Sequence, residues 1–197
     1  MKIEDIKENY YFETLNESHY LNDFDCGDED LNDFLKNDAL IQQDKKLNLT
    51  KLVICEDMII GYVSLLTDRL TIKNIREDRI KLDLKNALNI NSKNKPIPAV
   101  KIGRFALDKK YSGQGLGSHI LRNILATLKK ISETNVGFRF IVVEGYAKAF
   151  NFYVARNGFE NLRRDDVKIG NIEFITKRDP TKTFYLYMDL ERYGALN

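Results

Sequence analysis

A glycine-rich loop between a strand pattern and a helix pattern constrains the fold of this chain more than any other feature. Residues 100–107 alternate as a β-strand does, and apolar residues recur at helical intervals from Leu116 to Ile131. The segment between them contains three closely spaced glycines, Gly113, Gly115 and Gly117. Backbone N–H groups of such a loop can converge on an anion, and the dipole of the following helix adds to the attraction. The pattern therefore predicts a strand–loop–helix unit that binds a phosphate group.

The spacing of these glycines separates the loop from two common nucleotide-binding motifs. It reads GxGxG, which does not match GxGxxG with an acidic residue downstream, and it lacks the Lys-Ser/Thr pair of a P-loop. Dinucleotide and nucleoside triphosphate sites are therefore disfavoured. A tight turn that binds no ligand is the alternative interpretation of the glycines alone.

The remaining patterns predict a single α/β or α+β sheet domain over residues 1–197. The further predicted elements are a helix over about 28–43, a hairpin from Lys51 to Leu66 with a two-residue turn at Glu56 and Asp57, a strand over 138–143 that ends at Glu144, a short helix closed by Gly158, and a last strand over 183–190. Residues 68–98 mix basic and apolar side chains, and we predict an insertion of short helices and loops there. An amphipathic cover over the core is the simplest role for this insertion.

Charge is distributed unevenly along the chain. The net charge is +2, from 31 Lys and Arg and 29 Asp and Glu. Residues 1–33 nevertheless carry a net charge of −9, so the rest of the chain carries +11. This asymmetry indicates a polyanionic ligand, either a nucleic acid or a phosphate-rich cofactor.

Composition and hydropathy exclude several classes of protein. Apolar residues make up 43% of the 197 residues and charged residues 30%, which is typical of a globular domain. The most hydrophobic region, residues 52–66, is interrupted by Glu56 and Asp57 and is too short to span a membrane. The acidic N-terminus lacks the basic start of a secretory signal, so we expect a cytoplasmic protein. Cys26 and Cys55 lack metal-ligand spacing, and no metal site is expected.

Two segments resemble motifs of the GNAT superfamily of N-acetyltransferases. Residues 99–118, AVKIGRFALDKKYSGQGLGS, resemble the acyl-CoA motif of that family, in which a strand, Q/R-x-x-G-x-G/A and a helix follow one another. Residues 149–159, AFNFYVARNGF, resemble its A-x-x-F-Y-x-x-x-G-F segment. The N-terminal FDCGDEDLNDFLKNDA, followed by IIGYVSLL, is similar to the acetyltransferase toxins of toxin–antitoxin pairs. One position departs from the family pattern, because Ser112 stands where the family has Gln or Arg.

The resemblance implies a fold and a cofactor site. The fold would be a GNAT-like mixed, mostly antiparallel sheet flanked by helices, with central parallel strands that splay apart near Leu107 and Glu144 to admit the pantetheine arm of acetyl-CoA. Asn151 and Tyr146 would lie near the cofactor. The residues implied to bind acetyl-CoA are, along the pantetheine arm, Phe105, Ala106 and Leu107 and, around the pyrophosphate, Ser112, Gly113, Gln114, Gly115, Leu116, Gly117 and Ser118.

Acetyl transfer to an amine needs a proton for the departing thiolate and a base for the amine. Tyr153 matches the tyrosine of the family, and its phenol could protonate the thiolate, although packing among neighbouring phenylalanines is the alternative role. Glu144 is the candidate general base, and Asp108 is a weaker one. We interpret His19 and His119 as surface residues.

The absence of a strong candidate base bears on the acceptor. The pKa of a lysine side chain lies about 2.5 units above that of an α-amino group, a deprotonation cost of roughly 3.4 kcal/mol that a base would otherwise offset. An α-amine is therefore favoured, and the resemblance implies an acetyl-CoA-dependent N-acetyltransferase acting on a primary amine of a small molecule, a peptide or an aminoacyl-tRNA. Alternatives are a toxin that acetylates the α-amino group of aminoacyl-tRNA, paired with an antitoxin, and a non-catalytic acyl-CoA-binding module. No association with a membrane is expected, and a homodimer is one assembly that the sequence leaves open.

Overall fold

The computed structural model describes residues 1–71, 75, 78–88, 94–162, 171–179 and 181–193. The strands within these residues are β1 (Tyr11–Thr14), β2 (Leu49–Cys55), β3 (Met58–Thr71), β4 (Pro96–Leu107), β5 (Phe140–Tyr146), β6 (Glu160–Asn161) and β7 (Thr183–Asp189). The helices are α1 (Ile3–Asn9), α2 (Glu29–Asp33), α3 (Ala39–Asp44), α4 (Asp78–Leu88), α5 (Leu116–Thr134), α6 (Phe150–Asn157) and α7 (Ile172–Arg178). A π-helical turn, Phe34–Asp38, joins α2 to α3.

The described strands form one mixed sheet in the order β1-β2-β3-β4-β5-β7-β6. The pairs β1–β2, β2–β3, β5–β7 and β6–β7 are antiparallel. The N–H of Arg139, just before β5, donates to the carbonyl of Pro98 near the start of β4 at 3.1 Å. Further along the same strands, Lys101 contacts Glu144. The β4 and β5 segments therefore run parallel here, as the sequence predicts, and the splaying of their ends stays a prediction.

The chain divides into two compact units, and the first comprises residues 1–66 and 102–124. Its hairpin turns at Glu56 and Asp57, whose φ angles of 48° and 60° fit the two-residue turn that strand twist favours. The helical segment begins where the Asp28 carboxylate accepts the N–H of Leu31 at 3.2 Å. The core joins the apolar face of this segment to the sheet, through Phe34, Leu35, Ala39, Leu52, Ile54, Tyr62 and Ala106.

The second unit comprises the described parts of residues 67–101 and 125–197. Ile80 and Leu84 of α4 are buried in a core cluster with Phe140 and Val142 of β5 and Tyr187 of β7. This burial confirms that the inserted helix covers the core. Arg139 donates two hydrogen bonds of 3.0 Å to the buried carboxylate of Asp189. This charged pair joins the start of β5 to the end of β7.

The predicted bounds of the insertion are wrong at both ends. Strand β3 continues to Thr71 and β4 begins at Pro96, so residues 72–95 are what separates the two strands. One described helix, α4, lies there, and residues 72–74, 76–77 and 89–93 lie outside the described part, so the prediction of several short helices stays a prediction. The strand expected over 138–143 also begins later, at Phe140, and ends later, at Tyr146.

The N-terminal elements α1 and β1 were not predicted from the sequence. Ile3 and Ile6 are the buried residues of α1, and β1 pairs with β2 at the edge of the sheet. The acidic N-terminal segment is therefore part of the folded first unit. No helix in the described ranges is long and apolar enough to cross a membrane.

Candidate active site

Every backbone N–H group of residues 108–112, which lead into the glycine loop, donates a hydrogen bond. The N–H of Asp108 donates to the carbonyl of Ile60 at 2.9 Å, and the N–H of Lys109 donates to that of Asp25 at 2.9 Å. The next three N–H groups, of Lys110, Tyr111 and Ser112, donate to oxygens of Asp108 and Lys109. The backbone position of the chain is therefore fixed up to Ser112.

The glycine loop itself has open amides. Among the described residues, no acceptor contacts the N–H groups of residues 113–117, and helical bonding begins with the N–H of His119 donating to the carbonyl of Gly115 at 3.3 Å. Gly113 and Gly115 have φ angles of 76° and 81°, which L side chains rarely adopt. These open N–H groups stand at the N-terminus of the 19-residue helix α5, where an anion is favoured.

The side chains around this loop explain its position. Leu116 is completely buried and fixes the first turn of α5, whereas residues 112–115 are exposed. Gln114 is turned back onto the chain, since its amide donates to the carbonyl of Lys110 at 3.2 Å. Gly117 and Ser118, in the first turn of α5, are half-buried.

The end of β4 carries the residues expected along the pantetheine arm. Ala106 is buried, whereas Phe105 and Leu107 are half-buried. A Cβ atom at Gly61 would lie 2.7 Å from the carbonyl oxygen of Ala106, so only glycine allows β3 this close approach to β4. Gly61 thus fixes the end of β4, a role that the sequence analysis missed.

Tyr153 combines a packed ring with an unpartnered hydroxyl. The residue is 6% exposed, and its ring contacts those of Phe152 and Phe159 at centroid distances of 5.0 and 5.4 Å. A Cβ at Gly145 would lie 3.3 Å from the ring, so the ring packs directly on β5. No hydrogen-bond partner of the hydroxyl lies among the described residues, and burial raises the pKa of Tyr153 above its usual range.

The side chain of Glu144 forms its hydrogen bonds on the face of β5 opposite to the one that Tyr153 packs on. Its carboxylate accepts from Lys101 Nζ at 3.1 Å and from the Thr183 hydroxyl at 3.3 Å. Lys101 also lies over the ring of Tyr185, at 5.3 Å from its centroid. Adjacent residues of a strand project to opposite faces, so this carboxylate is directed away from the face of β5 that Tyr153 packs on. The structure does not bring Glu144 and Tyr153 together, and the role of Glu144 as a base stays a prediction.

Three other titratable residues have structural surroundings. Asp108 is 3% exposed, and its carboxylate accepts the N–H groups of Asp25 and Lys110. His119 is half-buried against the ring of Tyr10, at a centroid distance of 5.8 Å, and the side chain of His19 is only 10% exposed. The interpretation of both histidines as surface residues was therefore wrong. The reason is that the N-terminal segment contacts α5 through Tyr10 and pairs with β2 through β1.

Asn151 and Tyr146 are placed at the start of α6 and the end of β5. Asn151 is exposed in the first turn of α6, which Gly158 closes with a φ of 71°, as the sequence predicts. Tyr146 is half-buried, with Lys148 Nζ at 5.5 Å from its ring centroid. Their contact with a cofactor stays a prediction.

A parallel pair of central strands, one of them followed by a loop with open amides and a helix, agrees with the GNAT-like fold that the resemblance implied. No family model matches the chain. Comparison of structures confirms the fold: a structure of KacT aligns over 96% of this chain and 99% of its own, with a TM-score of 0.74 and 22% identity.

Two structures of AtaT also share this fold. AtaT complexed with acetyl-methionyl-tRNAfMet aligns over 95% of this chain and 99% of its own, with a TM-score of 0.73 and 23% identity. A mutant AtaT toxin bound to acetyl-CoA and the C-terminus of the antitoxin AtaR aligns over 95% and 97%, with a TM-score of 0.66 and 24% identity.

A curated relative is similar over a shorter stretch. A tRNA-acetylating toxin of Mycobacterium tuberculosis (strain ATCC 25618 / H37Rv) is 37% identical over 60 residues, or 30% of this chain. The match spans 36% of that protein.

Proposed function

We propose that this chain is an acetyl-CoA-dependent N-acetyltransferase that acetylates a primary amine. The observation that carries the proposal is the run of open backbone N–H groups from Gly113 to Gly117 at the N-terminus of α5. Such amides bind a pyrophosphate without a cationic side chain, which suits a loop whose family position for Gln or Arg holds Ser112. One domain over residues 1–197 carries this activity.

This proposal assigns a role to each residue that the sequence predicts at the cofactor and catalytic sites. Acetyl-CoA, when bound, supplies an activated acyl carbon and a thiolate leaving group. The backbone of residues 105–107 orients the pantetheine arm, the amides of residues 113–118 bind the pyrophosphate, and Asn151 contributes a polar contact. The Tyr153 hydroxyl donates its proton toward the sulfur, because a buried phenol with a raised pKa stays protonated at neutral pH.

For the acceptor we propose the α-amino group of an aminoacyl-tRNA. The 60-residue likeness to a tRNA-acetylating toxin favours it, as does the shared fold with AtaT, solved with acetyl-methionyl-tRNAfMet. An α-amine is also the acceptor that needs least help from a base, and the carboxylate of the candidate base Glu144 is already hydrogen-bonded to Lys101. As a toxin in the cytoplasm, the protein would be neutralised by an antitoxin, and a homodimer is one assembly that the sequence leaves open.

Transfer of labelled acetyl groups from acetyl-CoA tests both the proposed acetyltransferase activity and the proposed acceptor. Purified protein is offered aminoacyl-tRNA, deacylated tRNA, a peptide with a free N-terminus, and a small primary amine. We expect label on the aminoacyl-tRNA and none on deacylated tRNA. Label on the peptide or the small amine alone would contradict the acceptor, whereas binding of acetyl-CoA with no transfer would favour a non-catalytic binding module.

A further inference from the structure

Two segments far apart in the sequence are joined immediately before the glycine loop. Lys109 donates twice to Asp25, from its N–H to the carbonyl at 2.9 Å and from Nζ to the carboxylate at 2.5 Å. In the opposite direction, the N–H of Asp25 donates to the carboxylate of Asp108 at 3.3 Å. We call this set of contacts between Asp25 and residues 108–109 the Asp25 clamp.

The carboxylate of Asp25 is itself held in one orientation. The N–H of Gly27 and the side-chain amide of Asn32 both donate to it at 2.8 Å. The oxygen of the Asn32 amide accepts the N–H of Cys26 at 2.9 Å, which closes the turn. Asp25 therefore presents its second oxygen to Lys109 from a rigid support.

Both partners of the clamp are charged at neutral pH. The hydrogen bond from Lys109, with smaller contributions from Gly27 and Asn32, holds the pKa of the Asp25 carboxyl well below its usual range. The same bond raises the pKa of Lys109. The cation of Lys109 is thus directed to Asp25, whereas the neighbouring Lys110 is exposed and has no ion-pair partner among the described residues.

The position of the clamp gives it a consequence for the loop. The N–H of Ser112 is the last one before the open amides that has an acceptor. It donates to the carbonyl of Lys109, the residue that is hydrogen-bonded to Asp25. Beyond it, two glycines at positive φ leave the backbone free to sample other conformations. Ordering those residues costs conformational entropy when an anion binds, and a fixed starting point reduces that cost.

We propose that Asp25 is a positioning residue for acetyl-CoA, acting through Lys109 to preorganise the amides of the glycine loop. This inference rests on the proposed function and adds to it a residue outside every acyl-CoA motif. Simple electrostatics leads to the opposite expectation. Removing a carboxylate close to the site of a polyanion would tighten binding if charge alone mattered.

Calorimetric titration of acetyl-CoA into Asp25→Asn and Asp23→Asn proteins tests the proposal by the sign of the effect. An asparagine at position 25 can still accept from Gly27 and Asn32 but loses the ion pair with Lys109. Asp23 is an exposed acid two residues away and provides the matched change in charge. We expect acetyl-CoA to bind about five- to tenfold more weakly to Asp25→Asn, and as tightly as wild type or slightly more tightly to Asp23→Asn.

The two adjacent lysines provide a second pair of variants, which decides the matter if Asp25→Asn does not fold. The Lys109 side chain is 61% exposed, so Lys109→Met should fold, and Lys110→Met makes the same change in charge outside the clamp. We expect Lys109→Met to weaken binding as Asp25→Asn does, and Lys110→Met to weaken it less than about twofold. In the double variant Asp25→Asn/Lys109→Met the two losses should not add, because both remove one interaction.

Steady-state kinetics separates positioning from a general loss of structure. The KM for acetyl-CoA should rise in Asp25→Asn while kcat at saturating acetyl-CoA stays near wild type. Equal or tighter binding by Asp25→Asn, or equal losses in the two lysine variants, would overturn the inference and leave the proposed function intact. A wild-type protein that binds no acetyl-CoA would instead contradict the proposed function, and the inference with it.

Discussion

At the scale of single residues, the ring and the hydroxyl of Tyr153 have different roles. The ring is committed to packing against Phe152, Phe159 and Gly145, so both roles considered from the sequence are compatible with its surroundings. The hydroxyl has no partner among the described residues and is the part of the side chain that can act on a substrate.

Replacing Tyr153 by Phe removes only the hydroxyl. Ring volume and the aromatic contacts are kept, so the melting temperature and the affinity for acetyl-CoA should stay close to wild type. A positioned general acid contributes about 10²–10⁴-fold, and we expect kcat to fall at least about tenfold even if water replaces part of its action. Single-turnover and steady-state rates measure this fall. Full turnover by the variant would show that the hydroxyl is structural.

The raised pKa of Tyr153 predicts the shape of the pH profile. Burial disfavours the phenolate, so the pKa of this residue lies above the usual value of about 10 and the proton remains available throughout an ordinary assay range. With an α-amine acceptor, kcat/KM should rise with pH through about 8, as the amine loses its proton, and then stay level to about pH 10. A decline between pH 8 and 10 that disappears in Tyr153→Phe would contradict this assignment.

At the scale of elements, the glycine loop combines an unusual backbone with an open space. Apart from the two neighbouring residues, no atom of the described residues lies within 4 Å of the position that a Cβ would take at Gly115. A side chain there is therefore opposed by the backbone strain of a φ of 81° and not by a clash. That strain costs about 1–2 kcal/mol for any L residue. A test of phosphate binding at this position must therefore hold the strain constant.

Gly115→Glu and Gly115→Gln differ in charge but share the same strain and nearly the same volume. A carboxylate placed among open amides should compete with the pyrophosphate and repel it, by about 1 kcal/mol or more at 4 Å even in a watery site. We expect acetyl-CoA to bind at least about tenfold more weakly to Gly115→Glu than to Gly115→Gln, measured by calorimetry on folded proteins. Equal affinities would place the pyrophosphate elsewhere.

The elements that sequence patterns predict are those with a strong local period. The hairpin, α5, the helical segment from α2 to α3, and α6 with its Gly158 cap each have their apolar residues at regular intervals. The end of β3 was missed because residues 67–69 are polar and read as loop, although the strand continues to Leu70 and Thr71. Its continuation depends on distant contacts, such as the hydrogen bond of 2.6 Å that the Tyr185 hydroxyl donates to Asp68.

The candidate site was predictable only where a motif lies in one stretch of sequence. The glycine loop and Tyr153 each belong to such a stretch. The Asp25 clamp does not, because its partners are 84 residues apart and neither residue type is unusual in its own segment. Gly61 was missed for the same reason, since its need for glycine comes from the carbonyl of Ala106 on another strand.

At the scale of the whole molecule, the distribution of charge bears on which acceptor the protein binds. The chain carries −9 over residues 1–33 and +11 over the rest, and Lys45, Lys46 and Lys95 are exposed. Three further basic residues of the sequence, Lys93, Arg163 and Arg164, lie outside the described residues. Because surface cations attract a nucleic acid through its phosphates, binding of an aminoacyl-tRNA would weaken as salt rises, whereas a small amine would show no such dependence.

Tightly controlled expression in bacteria connects the chemistry to the proposed role as a toxin. Wild-type protein should arrest growth, and acetylated aminoacyl-tRNA should accumulate in the arrested cells. Tyr153→Phe should relieve the arrest at an equal protein level, because the loss lies in turnover and not in folding. Gly115→Gln is a useful control, since it introduces strain at the loop without the opposing charge and should retain more toxicity than Gly115→Glu. If a variant proven to be inactive still arrested growth, toxicity would have a cause other than acetylation.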